Sequence, residues 1–583
     1  MTKKNNNPFS ILTFFLIFTF IIILVNLYII QIREKEKYST ISKNNYIRIK
    51  KVFPTRGEIF DRNFKPLAIN WPVINVYIKI SKIKNKQLLF DFLLKNTNLT
   101  KSNIDNLEKR FNNIYLKDYL IIHDVDYDTY ITISENINYY PSLYFVYENS
   151  RKYLINSHFL GYIRNINQQE YNQKKKLGYS INDRIGKSGL EKQYETVLRG
   201  EIGFEILQKD AFGKDYGMLS GNLSKPVKDG SNIVLTIDKK FQEYIATLVN
   251  DSIFKGFIGV MDVKSGGLLS YLSIPSFNTN KMIDFLDFET WQAIRDDSSK
   301  AILNRGIMAL YPPASIFKLI VGSLGINEKI VKPEDRLEYC KGYFKFGRRI
   351  FRCWKNHQES YDFYGAIKNS CDVYFYDLSL SIDLNRFKEF TKQNFLTVKT
   401  GIDIPEEKSG FFPSKAWYKD NYGKRTIVSG YKINLSIGQG EILVTPIQIL
   451  SYINALARNG DWIQPYFLKT IVDDKKDFSP KTKKLPVSKE LISILKESLR
   501  QVVNEKGGTG IAARSSEGVV YGKTGSAQNS QGLSHAWFSG FFTFNDIPEI
   551  SFVIILENSG GGGAVAAPIA KKIVDYYMKE IYQ

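Results

Sequence analysis

A hydroxyl and an amine three residues apart, directly after two prolines, make the most reactive arrangement in this sequence. Tyr311-Pro312-Pro313-Ala314-Ser315-Ile316-Phe317-Lys318 leads into the apolar run Ile316 to Ile326. Proline fixes φ and lacks an N–H, so the helix implied by that run is expected to begin at Ser315. Ser315 and Lys318 then share one face, and the first-turn N–H groups point toward whatever Ser315 attacks. A serine hydroxyl needs a base, and a partly desolvated lysine can supply one. The same Ser-x-x-Lys spacing recurs at Ser81, Ser252, Ser429 and Ser493, and an N-cap or a solvated pair accounts for any one copy taken alone. Company elsewhere in the chain has to separate Ser315 from the rest.

Two other stretches supply that company. Lys523-Thr524-Gly525-Ser526 follows the run Gly518 to Tyr521, and a strand edge of this kind can pair with an extended peptide while lysine and threonine face an anionic group. The rival copy Lys399-Thr400-Gly401 runs into Pro405, where proline halts pairing, so Lys523 is preferred. Between them lies Ser370-Cys371-Asp372. Its serine could relay a proton to a leaving amine and Asp372 could bind substrate or lysine, although a capping or turn role suffices for the isolated tripeptide.

These residues need a scaffold. Phe257 to Asp262 and Leu268 to Ser273 form a β-hairpin pattern around Lys264-Ser265-Gly266-Gly267, and strands recur at Gly518 to Lys523, His535 to Phe544 and Glu549 to Leu556. The intervening segments are mostly helical. An antiparallel sheet built from the two ends of a domain, with helices on its faces, fits this order. Asp473 to Glu490 is expected to be a surface loop, and Val565 to Tyr582 a C-terminal helix after Gly560 to Gly563. Arg56 to Asn63 is read as a strand and turn, and Lys65 to Leu223 as an extended non-catalytic α+β module. The expected domains are 1–35, 36–225 and 226–583.

At 583 residues the chain exceeds one core. Its net charge of +21 would suit an anionic partner, yet no recognisable nucleic-acid module is present, and nucleic acid is not expected as a partner. From Pro8 to Ile32 there is no charged residue, which predicts an uncleaved membrane anchor rather than a signal peptide. Lys3 and Lys4 precede the span and Arg33, Lys35, Lys37, Lys43 and Arg48 follow it, a count that opposes export of the C-terminal bulk. Large domains translocate largely regardless of such charge.

Only three cysteines occur. Cys340, Cys353 and Cys371, with His357, fall within 32 residues and suit a closed tetrahedral zinc site. The alternative is a Cys340–Cys353 disulfide with Cys371 buried.

Ser-x-x-Lys, then Ser-x-Asp, then Lys-Thr-Gly, in this order, resembles the signature of penicillin-binding proteins and serine β-lactamases. With Arg56 to Asn63, His158-Phe159-Leu160-Gly161-Tyr162, Gly189-Leu190-Glu191, Asn304-Arg305-Gly306 and Gly438-Gln439-Gly440, the chain is similar to the class B penicillin-binding proteins, most of all to the penicillin-binding protein 2 group. The resemblance implies a chain of α/β class (α+β type): a transpeptidase domain with a central antiparallel sheet, an elongated α+β pedestal and one N-terminal transmembrane helix. It implies a peptidoglycan D,D-transpeptidase of cell elongation and rod-shape maintenance, a target of β-lactams. Ser315 would be acylated by the stem peptide, with Lys318 as base. Ser370, Asp372 and Lys523 would organise proton transfer, and the N–H groups of Ser315 and Ser526 would form the oxyanion hole. Thr524, with Gly525 and Ser526, would hold substrate. Asp372 departs from the asparagine of many relatives, aspartate being a variant within this subgroup. Some members of the group carry a structural zinc between the first two motifs, with Asp, His and Cys ligands; here Cys340 and Cys353 would replace carboxylates. Acyl transfer itself needs no cofactor. The implied location is the inner membrane, single-pass, with the bulk in the periplasm, and the implied partners are a SEDS-family, RodA-like glycosyltransferase and other elongation-complex membrane proteins. Alternatives are a D,D-carboxypeptidase or β-lactamase, or an inert penicillin sensor or scaffold.

Overall fold

The computed structural model describes residues 8–36, 47–111, 118–180, 183–209, 215–218, 224–283, 288–423, 428–474, 476–529 and 532–582. Lys3, Lys4, Lys37 and Lys43, which the charge count uses, lie outside them. Contacts divide the chain into two units, Met1–Arg56 with Arg199–Gly230, and Gly57–Leu198 with Ser231–Gln583.

The first unit begins with helix α1 (Pro8–Tyr28). Its segment Leu12–Arg33 is apolar and long enough to cross a bilayer, with none of it buried in protein, as expected for side chains whose solvent is lipid. Thr13 and Thr19 return their hydroxyls to the carbonyls of Phe9 and Phe15 one turn back, which satisfies them inside the helix. A three-stranded sheet, with Gly203–Lys209 between Ile47–Val52 and Asp215–Met218, completes this unit.

In the second unit, Ile59–Phe60 and Pro66–Lys79 are strands of a seven-stranded sheet. The Arg56 to Asn63 reading of a strand and turn holds, but the turn is not a solvated one. Asp61 is buried, and its carboxylate accepts from the backbone N–H groups of Asn63, Lys65 and Lys239. Paired donors offset the cost of taking that charge out of water.

The catalytic sheet has five strands: β1 (Gly256–Asp262), β2 (Leu268–Ile274), β5 (Val519–Ala527), β6 (His535–Phe544) and β7 (Ile547–Leu556), in the order β2-β1-β7-β6-β5. Every pairing in it is antiparallel. Along β6, Ala536 to Thr543 are all buried, so both faces are covered and the sequence shows a continuous apolar run instead of alternation. A separate hairpin, β3 (Tyr343–Phe346) and β4 (Arg349–Arg352), lies between β2 and β5 in sequence. The helices that bear on the site are α2 (Lys318–Asn327), α3 (Phe363–Lys368), α4 (Asp372–Leu380), α5 (Pro446–Ala457), α6 (Lys489–Asn504) and α7 (Gly562–Tyr576), and α5 is buried along its whole length.

Three expectations change. The α-helix begins at Lys318, and Ser315 sits in the 3-10 turn Ala314–Phe317 before it. Ala314 has φ +49°, a left-handed conformation that interrupts helical continuation from the prolines. The expected loop Asp473 to Glu490 contains strands Lys476–Asp477 and Thr482–Lys484, paired to Leu468–Ile471 and Asp461–Ile463. Ile471 and Lys476 close a short hairpin and Ile463 and Thr482 a longer one, and the polar composition of these two- and three-residue strands hid them. Finally α7 starts at Gly562 and ends at Tyr576, with a π turn over Tyr577–Ile581.

Candidate active site

The Ser315 turn is clamped from both sides. The Ala314 N–H donates to Gly438 O at 2.9 Å, while Tyr311 and Val444 exchange both backbone hydrogen bonds at 2.9 Å. Gly438, at φ +70°, lies so close that an added Cβ would stand 2.1 Å from Ala314 O, so only glycine fits. On the other side Gly525 of β5 meets Ala314, where an added Cβ would stand 3.2 Å from that of Ala314. β5 is the edge strand of its sheet, and its Lys-Thr-Gly-Ser segment continues the pairing to Ala527, four residues past the expected end at Lys523. The edge that a peptide could join therefore lies beside the half-buried Ser315.

Beneath it lies a buried polar cluster. Lys318 Nζ donates to Ser370 O at 2.8 Å, to Ser370 Oγ at 3.2 Å and to Asp372 Oδ1 at 2.7 Å. Lys523 Nζ reaches the same Ser370 Oγ at 3.0 Å and Thr524 O at 3.0 Å. Both amines are fully buried. Burial, then the charge of Lys318, pushes the Lys523 amine far below the ordinary lysine range, with Asp372 opposing. Burial raises the Asp372 carboxyl against the pull of Lys318. Ser370 bridges the two amines because its φ of +52° turns the chain sharply between α3 and α4. Of the predicted residues, Lys318, Ser370, Asp372 and Lys523 form this cluster, Thr524, Gly525 and Ser526 lie on the strand edge over it, and Ser315 sits in the turn that meets that edge through Ala314. The rival Lys399 segment is elsewhere engaged: Thr400 donates its N–H and hydroxyl to buried Glu407 at 2.6 and 2.7 Å.

Several participants escaped the motif reading. The Trp354 N–H donates to Asp372 Oδ2 at 3.0 Å, and its indole Nε1–H lies 3.1 Å from Ser370 O and 3.2 Å from Asn369 O. Thr524 Oγ1 pairs with Thr509 Oγ1 at 2.8 Å, and Gln439 Nε2 donates to Ser526 O at 3.2 Å. Glu557 accepts from Tyr311 OH at 2.6 Å and Arg305 Nε at 2.9 Å, bracing the approach to the serine turn. The Gly438-Gln439-Gly440 and Asn304-Arg305-Gly306 signals pointed to two of these. Trp354 was visible only as the neighbour of a cysteine.

Cys340, Cys353, His357 and Cys371 converge, with one ligand atom from each lying within 4.8 Å of all the others, and all three cysteines are free thiols. His357 Nδ1 is 3.4 Å from Cys340 Sγ and 3.6 Å from Cys353 Sγ. Its Nε2 lies 3.2 Å from Asn369 O, which fixes Nε2 as the protonated nitrogen and leaves the Nδ1 lone pair facing the sulfurs. The Asp372 N–H points at Cys353 Sγ, 3.3 Å away, so this cluster and the catalytic one meet at Asp372.

Comparison with known proteins agrees with this geometry. Residues 256–575 match the family profile described as the penicillin binding protein transpeptidase domain, and residues 51–235 that of the penicillin-binding protein dimerisation domain. The chain is 31% identical to peptidoglycan D,D-transpeptidase MrdA of Haemophilus influenzae, over 96% of this chain and 89% of that one. It is 28% identical to MrdA of Escherichia coli, over 96% and 92% respectively. The structure of penicillin-binding protein 2 (PBP2) from Helicobacter pylori, solved in complex with MreC, superposes with a TM-score of 0.81 at 27% identity, covering 92% of this chain and all of that one. With these matches added to a serine turn under a strand edge and a buried pair of amines, the chain belongs to the penicillin-binding protein transpeptidase family and is a peptidoglycan D,D-transpeptidase.

Proposed function

We propose that Ser315 is the acylated residue and that a relay through Ser370 makes its base available. The observation that carries this reading is Ser370 Oγ, within hydrogen-bond reach of both Lys318 and Lys523. Two ammonium groups and one carboxylate in a dry pocket would leave an uncompensated charge, so one amine is neutral. Proton exchange across Ser370 Oγ lets that neutral amine be Lys318 when Ser315 attacks. The Ser315 oxygen then bonds to the penultimate D-alanine carbonyl carbon of the donor stem, and its proton passes to Lys318. The N–H groups of Ser315 and Ser526 receive the developing oxyanion. As the C–N bond breaks, the terminal D-alanine amine takes a proton from the Lys318–Ser370 relay and leaves. Thr524 holds the donor carboxylate until it departs with that D-alanine. A second stem's amine then attacks the acyl carbon. As the new C–N bond forms, the Ser315 O–C bond breaks and the amine's proton returns to Ser315 along the same path, leaving the cross-link.

The four-ligand cluster fits one structural zinc. Arms of about 2.3 Å to sulfur and about 2.05 Å to nitrogen at the tetrahedral angle separate S and N by about 3.5 Å, close to the two separations from His357 Nδ1. Zinc would tie Cys353 and Cys371 together on either side of Trp354 and Asp372, holding them without entering the reaction. We assign 1–35 to the anchor, 36–225 to a non-catalytic docking module and 226–583 to transpeptidation, with the bulk in the periplasm of a single-pass inner-membrane protein. The MreC complex of the H. pylori relative supports elongation-complex partners, and a RodA-like SEDS polymerase would supply the strands.

Mass spectrometry of the full chain after labelled penicillin tests the assignment. One adduct is expected, on Ser315; an adduct on Ser81, Ser252, Ser429 or Ser493 instead would overturn it.

A further inference from the structure

The hairpin β3–β4 and its flanks carry a charge that the chemistry above does not use. Lys341, Lys345, Arg348, Arg349, Arg352 and Lys355 fall within fifteen residues that contain no acidic residue, and all six are exposed. Among the described residues none of the six forms an ion pair, the nearby pair being Arg336 with Glu359. Strand register sorts the side chains. The pair Phe344 and Phe351 turns inward onto Cys340, Val373 and Tyr376, and Arg349, paired with Phe346 on that same face, lies 4.8 Å over the Phe351 ring with its side chain still exposed. Tyr343 with Arg352 and Lys345 with Ile350 lie on the other face, where Tyr343 and Ile350 stay exposed beside Trp354. Like charges crowded on a short hairpin repel one another, so the arrangement costs stability in the free protein and implies an anionic partner.

The hairpin is also tied to the reaction centre. Arg352 O accepts from Tyr376 OH at 3.0 Å, and the next two residues are Cys353 and Trp354, the latter bonded to both Ser370 and Asp372. Arg352 on the hairpin is therefore two residues from Trp354, which itself touches the groups that handle the proton. We propose that this basic, aromatic-flanked hairpin is a docking surface for the uncross-linked peptidoglycan strand, whose successive stem-peptide carboxylates meet the row of cations while sugars or peptide backbone lie on Tyr343, Ile350 and Trp354. It rests on the transpeptidase assignment and adds a reason for preferring polymer over a single stem peptide. Long polyanions gain from several weak contacts at once, whereas one short peptide reaches the catalytic edge alone.

The test uses the full-length protein in detergent, as wild type and with Lys345→Glu, Arg348→Glu and Arg349→Glu combined. Acylation by labelled penicillin reports separately on fold and catalytic centre, and is expected within about twofold of wild type, since none of the three touches the cluster. KM for uncross-linked strands is expected to rise about tenfold at low salt, with KM for a single stem pentapeptide changed less than about threefold. Wild type should lose the same advantage at about 0.3 M salt, where screening shortens to about 6 Å. An unchanged strand KM, or a wild-type strand KM indifferent to salt, overturns the proposal. So does normal strand use with lost binding to phosphatidylglycerol vesicles, which would assign the surface to lipid. If the reversed variant fails to acylate, the Lys345→Gln, Arg348→Gln and Arg349→Gln variant and the wild-type salt series decide by the same criteria.

Discussion

Two groups of positive charge, joined through Trp354 and its bonds to Ser370 and Asp372, obey different physics. Lys318 and Lys523 are sealed from water around one serine and one carboxylate, and there each proton matters because nothing screens it. The cations of the β3–β4 hairpin stand in solvent, where screening leaves them only a collective long-range pull. Lysine occurs in both places. The dielectric around it decides whether a lysine is a reagent or a handle.

A charge-preserving swap breaks the comparison most sharply. Lys523→Arg places a bulkier group that cannot give up its proton at one end of the Ser370 relay, and kcat/KM for acylation is expected to fall by about 10³-fold, or about 4 kcal/mol. Arg349→Lys in the hairpin should change it by less than about twofold. Equal losses, read by stopped-flow acylation, would remove the distinction.

Burial without a counter-charge gives the next effect. His158 donates toward Ala301 O and packs edge-on to Phe277. Burial, opposed by that carbonyl, pushes its imidazole down to about 4. The folded state then binds fewer protons than the unfolded state between about pH 4 and the unfolded value near 6.5, so stability rises with pH across that window and is lost as pH falls through it. About 2 kcal/mol should disappear between pH 7 and pH 5, and His158→Gln should flatten this part of the denaturation profile. An unchanged slope in the variant would place the acid sensitivity elsewhere.

Between the two regions stands Trp354, whose indole N–H and backbone N–H both serve the catalytic turn. Trp354→Phe keeps the ring and the backbone donor and removes the indole donor, so kcat is expected to fall about tenfold with KM for penicillin nearly unchanged. A change confined to KM would mean that Trp354 acts as a binding surface only. Smallest is the effect of chelation: removing zinc should lower Tm by several degrees and slow acylation, as judged by scanning calorimetry with metal analysis. Full retention of both would argue for a metal-free thiol cluster.

The residue order alone specified the anchor, the hairpin at Gly256–Ile274, the strand His535–Phe544 and the three separated motifs, because each is written in local terms. An uncharged apolar run, a turn flanked by β-branched residues and a Ser-x-x-Lys after prolines all state their role within a few positions. The strands inside Asp473 to Glu490 were not legible, since they are only two and three residues long and mostly polar, which leaves no hydrophobic alternation to read.

The position of Ser315 in a 3-10 turn depended on Gly438, more than a hundred residues away, closing on Ala314. Likewise the chain announced a lysine at 318 and another at 523, but not that one serine oxygen would lie between them. Distance and dielectric are properties of the folded state, and they alone set two lysine amines around one buried hydroxyl while leaving six other cations exposed.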